Sequence, residues 1–447
     1  MTASQLNTSA RALPSQDLDR HAALKFITCG SVDDGKSTLI GRLLVDSRSV
    51  LQDQLENVSK SGAADLALFT DGLSAEREQG ITIDVAYRYF ATPARKFIIG
   101  DTPGHEQYTR NMVTAASSAD AAVVLVDATK LKWKNRGKDM GALTLLPQTR
   151  RHALLLKLLR VPSIVFAVNK LDALEDPARP HQATEAFTCI REALEAFAAA
   201  AGIEVAATVP ISALQGHNVV ITTPGWCGYQ GSSLLQLLES LPVTPAEAAL
   251  PLAFPVQWVE KFSSSSDTSQ GRRVFWGRVA TGAAQVGQTI TVFPSGKTAT
   301  IAQVLNHVRQ PQGVAASHSA GVVLDRELDV SRGDWLLADA AALAQSPTVS
   351  GTVAWMDDAP LVVGRAYWVL HGHRWIKAKV QCITHRLDVN TLETSPATEL
   401  EPNAIGHITL SLQQPIAALG FGQSRVLGSL ILVDTASNAT AGALLIE

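Results

Sequence analysis

The stretch ALKFITCGSVDDGKS, residues 23–37, decides how the rest of the chain is read. Leu24 to Cys29 is an apolar run of strand length. Gly30-Ser31-Val32-Asp33-Asp34-Gly35-Lys36-Ser37 then meets every constrained position of G-x-x-x-x-G-K-[ST], the phosphate-binding loop. From Thr38 to Leu44 the pattern is that of the helix behind such a loop. Gly30 and Gly35 let the backbone curl so that successive N–H groups turn inward on phosphate oxygens. The helix N-terminus adds partial positive charge. Lys36 is placed to reach the β- and γ-phosphates, and the Ser37 hydroxyl to ligate Mg²⁺. A glycine turn without function is the plain alternative, and a strand before with a helix after speaks against it. The segment predicts a bound nucleoside triphosphate. A second near-match, Gly296-Lys297-Thr298, fails because Thr291 stands where the first glycine belongs. Pro294-Ser295-Gly296 reads better as a hairpin turn.

The length of 447 residues suggests about three domains. A hydrophobic fraction of 46% is ample for ordinary cores. The net charge of −3 gives no polyanion-binding character to the chain as a whole. Four scattered cysteines without a C-x-x-C pair fit neither a disulfide framework nor a zinc site, and a reducing cytoplasm is the expected setting. Residues 1–22 are polar and read as a disordered N-terminal tail, not as a signal peptide. No apolar stretch approaches membrane-spanning length.

Working outward, strand-like runs alternate with helix-length segments from 23 to 245. Strands are expected at Leu24–Cys29, Lys96–Gly100, Ala121–Val126, Ser163–Val168 and Thr208–Ile211. Helices are expected at Tyr108–Ser117, Gln148–Leu159 and Ala183–Ala200. The alternation predicts an α/β domain with a mostly parallel sheet and crossover helices, with ligands at the carboxyl ends of its strands. Leu241-Pro242-Val243-Thr244-Pro245 reads as a linker. Beyond it, short β-rich runs between Gly and Pro turns predict two small β-barrel domains, 246–345 and 346–447, with the seam near Ala340–Val349.

Four further segments fall where a GTPase needs them. Asp101-Thr102-Pro103-Gly104 follows a strand; its carboxylate would orient the Mg²⁺ shell and the Gly104 N–H would meet the γ-phosphate. Loss of that contact on hydrolysis would release a loop, the basis of a switch. Thr82, in Gly80-Ile81-Thr82-Ile83, offers a second hydroxyl to Mg²⁺. Asn169-Lys170-Leu171-Asp172 closes another strand, and a carboxylate at Asp172 can accept from both N1–H and the 2-amino group of guanine. Ser212-Ala213-Leu214 follows the last strand and would bring a backbone N–H to the guanine O6. Each tetrapeptide is weak alone; the ordered set predicts GTP and GDP as ligands.

These residues carry a resemblance. Glu76–Asp84 (EREQGITID) and His105–Ser117 (HEQYTRNMVTAAS) resemble the translation-factor superfamily of GTPases, and a GTPase domain followed by two β-barrels is that superfamily's plan. The resemblance implies that His105 positions the attacking water. Within the superfamily the chain is most similar to the large, GTP-hydrolysing subunits of bacterial sulfate adenylyltransferase. Asp34 in the phosphate loop, QTRRH (Gln148–His152), FPVQWV, QVGQTITVFPSGK, ELDVSRGDWL and LDVNTLE all resemble those subunits. Gln79 replaces the arginine usual in ERERGITID, and Lys130–Leu146 looks like an insertion.

The resemblance implies a subunit whose GTPase cycle drives formation of adenosine 5′-phosphosulfate and pyrophosphate from ATP and sulfate, an uphill reaction. The ATP–sulfate chemistry is then expected on a separate, smaller catalytic subunit, the implied partner. No second phosphate loop occurs before Glu447, so a fused kinase activity is not expected. The rival is an elongation-factor-like GTPase delivering aminoacyl-tRNA, which should gather cations on its barrels. From residue 251 onward, four lysines and ten arginines face nine aspartates and six glutamates, so no nucleic acid partner is expected. Lys130, Lys132, Lys134, Arg136 and Lys138, with Trp133 among them, are expected to dock on an acidic face of the partner, the alternative being a solvated loop. His371 and His373, two apart on an expected strand with His385 nearby, read as a strand face rather than a metal pair. Cys29 is expected to pack as a small apolar residue.

Overall fold

The computed structural model describes residues 23–47, 82, 84–105, 108–133, 143–245, 247–261, 273–307, 311–340, 343, 346–389 and 391–447. They form two compact units, divided between Thr244 and Pro245.

In the first unit six strands make one sheet: β1 (Leu24–Cys29), β2 (Ala86–Ala91), β3 (Lys96–Asp101), β4 (Ala121–Asp127), β5 (Ser163–Asn169) and β6 (Val205–Pro210). Their order is β2-β3-β1-β4-β5-β6. All pairs are parallel except β2 with β3. The sequences AAVVLVD and SIVFAVN of β4 and β5 are buried at every residue, as central parallel strands covered on both faces must be. At the edge, β2 exposes Tyr87 and Tyr89 and buries Phe90, which stacks on Phe97 at 4.6 Å. The sequence reading does not anticipate β2, because its mixed Y-R-Y pattern carries little apolar signal. It also starts β6 three residues late, at Thr208.

Among the described residues five helices accompany the sheet: α1 (Lys36–Asp46), α2 (Thr109–Ala116), α3 (Pro147–Leu158), α4 (Gln182–Ala201) and α5 (Leu234–Ser240). Pro147 opens α3 at the position where a missing N–H costs nothing. Gly202 closes α4 in the left-handed region, and Ser233 with Gln236 forms a capping box on α5. Leu24, Phe26, Leu39, Leu43, Phe97 and Val209 lie in one continuous core, so burial of α1 also fixes the loop that precedes it. The expected linker is partly stitched down. Thr244 N donates to Asp120 Oδ1 (2.9 Å), whose other oxygen accepts from Lys25 N (2.9 Å). The buried Arg95 guanidinium donates to the carbonyls of Leu238, Glu239 and Leu241.

The second unit holds two six-stranded barrels. The first closes in the order Thr289–Phe293, Lys297–Leu305, Ser319–Leu324, Arg273–Arg278, Ala253–Lys261, Trp335–Leu337. Its hairpin over Pro294–Gly296 pairs Val292 with Lys297, as the sequence predicts. The second closes through pairing of Ala366–His371 with Arg374–Leu387. Trp335 of the first barrel is fully buried, stacked on His371 of the second at 5.2 Å, and Arg374 Nη1 meets Asp334 Oδ1 at 3.2 Å. One strand face does not carry the histidine pair. His371 ends its strand, buried, with Nε2 against the Leu427 carbonyl (3.1 Å), whereas His373 sits in the turn. His385 instead stacks on His407. No helix among the described residues is long and apolar enough to cross a membrane.

Candidate functional site

The register of the sheet levels its carboxyl ends. Thr28 pairs with Asp101, Asp127 with Asn169, and Val168 with Pro210. The chain builds β2 and β3 on one side of β1 and then β4, β5 and β6 on the other, so the loop after Cys29 opens into the crevice of a topological switch point. Gly30, Ser31, Val32, Asp33, Asp34 and Gly35 form that loop. Gly35 precedes α1 at φ 93°, ψ 28°, where an L side chain is strained; a Cβ there would also meet Asn169 Nδ2 at 2.5 Å. No side chain caps the helix start at Gly35, which leaves the N–H groups that open α1 to a ligand.

Lys36 is buried, its Nζ bound to the carbonyls of Gly30 (3.2 Å) and Ser31 (2.9 Å). Burial pushes the ammonium below its usual range, while Asp101 and Asp34 hold it up. Asp101 is buried at the end of β3, taking hydrogen bonds from Thr28 Oγ1 (3.2 Å) and Ser37 Oγ (3.5 Å). Thr102 Oγ1 donates to the Thr28 carbonyl (2.7 Å), locking the start of the DTPG loop to β1. Gly104 lies against the phosphate loop so closely that a Cβ would meet Lys36 Nζ at 2.6 Å and Val32 N at 2.9 Å. His105 follows, half-buried, its ring edge-on to Tyr108. Thr38 lies one residue beyond Ser37 in the first turn of α1. Thr82 is half-buried, four residues before β2; Ile81 and Ile83 on either side lie outside the described residues.

The base-reading segments meet at Asn169. Its Nδ2 donates to the Asp34 carbonyl (2.8 Å) and its Oδ1 accepts from Ala213 N (3.0 Å), so one buried amide bolts NKLD, the phosphate loop and Ser212-Ala213-Leu214 together. Lys170, at φ 62°, donates to the Asp33 carbonyl and pairs with Asp127 Oδ2 at 2.8 Å. Although burial opposes it, the bonds from Lys170 and Thr129 hold the Asp127 carboxyl below its usual range. Asp172 is half-exposed and Leu214 exposed, leaving the base end open to solvent.

Several residues around this site are not singled out by sequence reasoning. Arg42, on α1, donates through Nε to the Ala213 carbonyl (3.2 Å) and through Nη2 to that of Leu214. Trp226 Nε1 donates to Glu175 Oε1 (2.7 Å), three residues beyond Asp172, and its ring stacks on His217 at 4.7 Å. The His217 carbonyl in turn accepts from Ser212 N (3.1 Å). Both are contacts between segments far apart in the chain, which no period in the sequence records. Asp34 gives more of a clue: a carboxylate among phosphate-binding N–H groups needs a cation. It is fully buried, with Oδ2 on Ser31 N (2.6 Å) and Oδ1 on Lys130 Nζ (2.9 Å).

That ion pair engages one end of the basic stretch, while Lys132 is exposed. Lys130 turns inward to Asp34, and Trp133 is buried in a cleft with Arg179, His181 and Glu185 at the start of α4. Lys134, Arg136 and Lys138 lie outside the described residues. Cys29 packs as expected, buried, its thiol pushed up to about 12 by that burial.

Comparison with known proteins agrees with this geometry. Residues 21–244 match the Elongation factor Tu GTP binding domain, and 348–447 match the GTP-eEF1A C-terminal domain-like family. Sulfate adenylyltransferase subunit 1 of Laribacter hongkongensis is 44% identical over 432 residues, covering 94% of this chain and 84% of its own length. The protein of that name from Tolumonas auensis is 40% identical over 452 residues, covering 98% and 90%. Bifunctional enzyme CysN/CysC of Xylella fastidiosa is 44% identical over 428 residues, covering 94% of this chain and 65% of that one.

Proposed function

The chain belongs to the sulfate adenylyltransferase subunit 1 family, and from that premise we propose how its GTPase site works and what it serves. The function is that of a GTP-hydrolysing regulatory subunit of sulfate adenylyltransferase. The observation that carries the mechanism is the assembly at the carboxyl end of the sheet of Lys36, Asp101, Gly104, Asn169 and Ser212–Leu214, on four separate segments.

The Ser31–Thr38 backbone receives the β-phosphate, and Lys36 exchanges its two carbonyl partners for phosphate oxygens as charge builds on them. Asp172 accepts from guanine N1–H and the 2-amino group, Ala213 N donates to O6, and Lys170 flanks the base. Hard oxygen donors suit magnesium: the Ser37 hydroxyl already lies on the buried Asp101 carboxylate, and Thr82 supplies a second hydroxyl. When bound, the ion adds positive charge to the transferring phosphoryl group. His105 orients the attacking water. The Gly104 N–H reads the γ-phosphate, and its loss frees the DTPG loop.

The partner of this reading is a separate, smaller adenylyltransferase subunit that binds ATP and sulfate in the cytoplasm. GTP hydrolysis drives its uphill reaction only if GTP and GDP states bind that subunit or its intermediates differently. Single-turnover GTP hydrolysis measured with the small subunit and, separately, with ribosomes tests the proposal. Stimulation of about tenfold or more by the small subunit is expected; stimulation by ribosomes alone would favour the delivery-factor reading instead. In the same assay His105→Ala should slow turnover by about a hundredfold while GTP affinity stays within about twofold.

A further inference from the structure

The charges around the phosphate loop form one alternating chain. Asp34 Oδ1 meets Lys130 Nζ at 2.9 Å; Lys130 Nζ lies 3.9 Å from Asp127 Oδ2; that oxygen meets Lys170 Nζ at 2.8 Å; and Lys170 returns to the loop through the Asp33 carbonyl. Lys130 also donates to the Val32 carbonyl. The Asp34 side chain is wholly buried, and its second oxygen holds Ser31 N at 2.6 Å, folding the loop back on itself. Space is tight there: a Cβ on Gly30 would lie 3.1 Å from Asp34 Oδ2. A buried carboxylate needs a close cation to stay ionised and in place; burial pushes this one above its usual range, and Lys130, Lys36 and the Ser31 N–H all act against that.

We propose that Lys130 is a positioning residue of the phosphate loop, acting through Asp34 to hold residues 31–34 in the shape that receives nucleotide phosphates. The inference rests on the reading of that loop as the GTP site. Lys130 leaves directly from the end of β4, so its reach to Asp34 is set by the sheet and not by the loop it steadies. The basic stretch thus begins with a residue that serves the chain's own nucleotide site. In binding terms Lys130 makes no bond to the nucleotide; it removes the cost of ordering the loop before phosphate arrives.

The test is a mutant cycle on the full chain, reading GTP and GDP dissociation constants and single-turnover hydrolysis at saturating GTP. Lys130→Met should weaken both nucleotides by at least about tenfold, while the saturated hydrolysis rate changes by less than about threefold. Lys130→Arg should restore most of the affinity, since a guanidinium can pair with the same carboxylate. The decisive arm compares Asp34→Asn with Asp34→Asn/Lys130→Met, neither of which buries an unpaired carboxylate. Equal dissociation constants in that pair are expected, because Lys130 acts through a charge both lack. A further tenfold loss in the double variant would overturn the proposal, showing that Lys130 acts on the nucleotide by another route. Wild-type affinity in a folded Lys130→Met protein would overturn it too. Lys36→Ala run alongside separates the two readings: if it also binds GTP normally, the loop itself is misassigned.

Discussion

The two ends of the nucleotide site are built on opposite principles. At the phosphate end, Asp34, Lys36, Asp101 and Asp127 are all buried, and each charge is held by at least two partners. At the base end, Asp172 is half-exposed, Leu214 is exposed, and order comes from clamps at the back: Arg42 on the carbonyls of Ala213 and Leu214, and Trp226 on Glu175. The contrast follows from what each end must recognise. A phosphate cluster is found by charge, which gains strength as water is removed. A base edge is found by the direction of a few hydrogen bonds, and this needs fixed loops more than it needs low dielectric.

Mutations can break or sharpen that division. Lys36→Ala removes the central cation of the phosphate end, and GTP affinity should fall by roughly a hundredfold with the fold retained; calorimetric titration beside circular dichroism checks both parts. Asn169→Ala cuts the buried bolt between the ends and leaves the links from Lys170 to Asp33 and from Arg42 to Leu214. Two buried hydrogen bonds are lost, so a weakening of roughly thirtyfold for GDP is expected, with a lowered melting temperature. Normal melting with weak binding would mean that the ends fold independently. Asp172→Asn touches only the base end and should change identity instead of strength, moving preference from GTP toward XTP by about tenfold or more in competition binding. Unchanged preference would remove Asp172 from base reading. The smallest effect is expected for Trp226→Phe, which keeps a ring to stack on His217 and loses the bond to Glu175. Discrimination between GTP and ITP should drop by about threefold, with hydrolysis of bound GTP unaltered.

The same division explains what the sequence discloses. Phosphate recognition is written in contiguous residues, since one turn from strand to helix supplies the N–H groups, the lysine and the hydroxyl together. Strands β4 and β5 are equally plain, because a central parallel strand is apolar throughout. The clamps are hidden for a physical reason: Arg42 reaches Leu214 over 172 positions, and Lys130 reaches Asp34 over 96, through contacts that only the folded sheet creates. Strand β2 is hidden for the opposite reason, being half-wet with a single buried residue, Phe90. The histidine pair misleads because a tight turn at Gly372 breaks the strand's alternation between His371 and His373.

The buried Cys29 has a consequence for chemistry around the protein. It is the last residue of β1, one bond from the phosphate loop, and any adduct on its sulfur would lie against the Val123 carbonyl inside the sheet. Only the thiolate reacts with electrophiles and oxidants, and with its thiol pushed up to about 12 Cys29 stays protonated across the whole physiological range, as does Cys227. Cys382, by contrast, is exposed on the second barrel. A thiol-directed dye or a mild oxidant will therefore spare Cys29 beside the nucleotide loop and mark the exposed Cys382, ahead of the half-buried Cys189 on α4, so a spectroscopic label can be carried on the barrel of a Cys189→Ser variant.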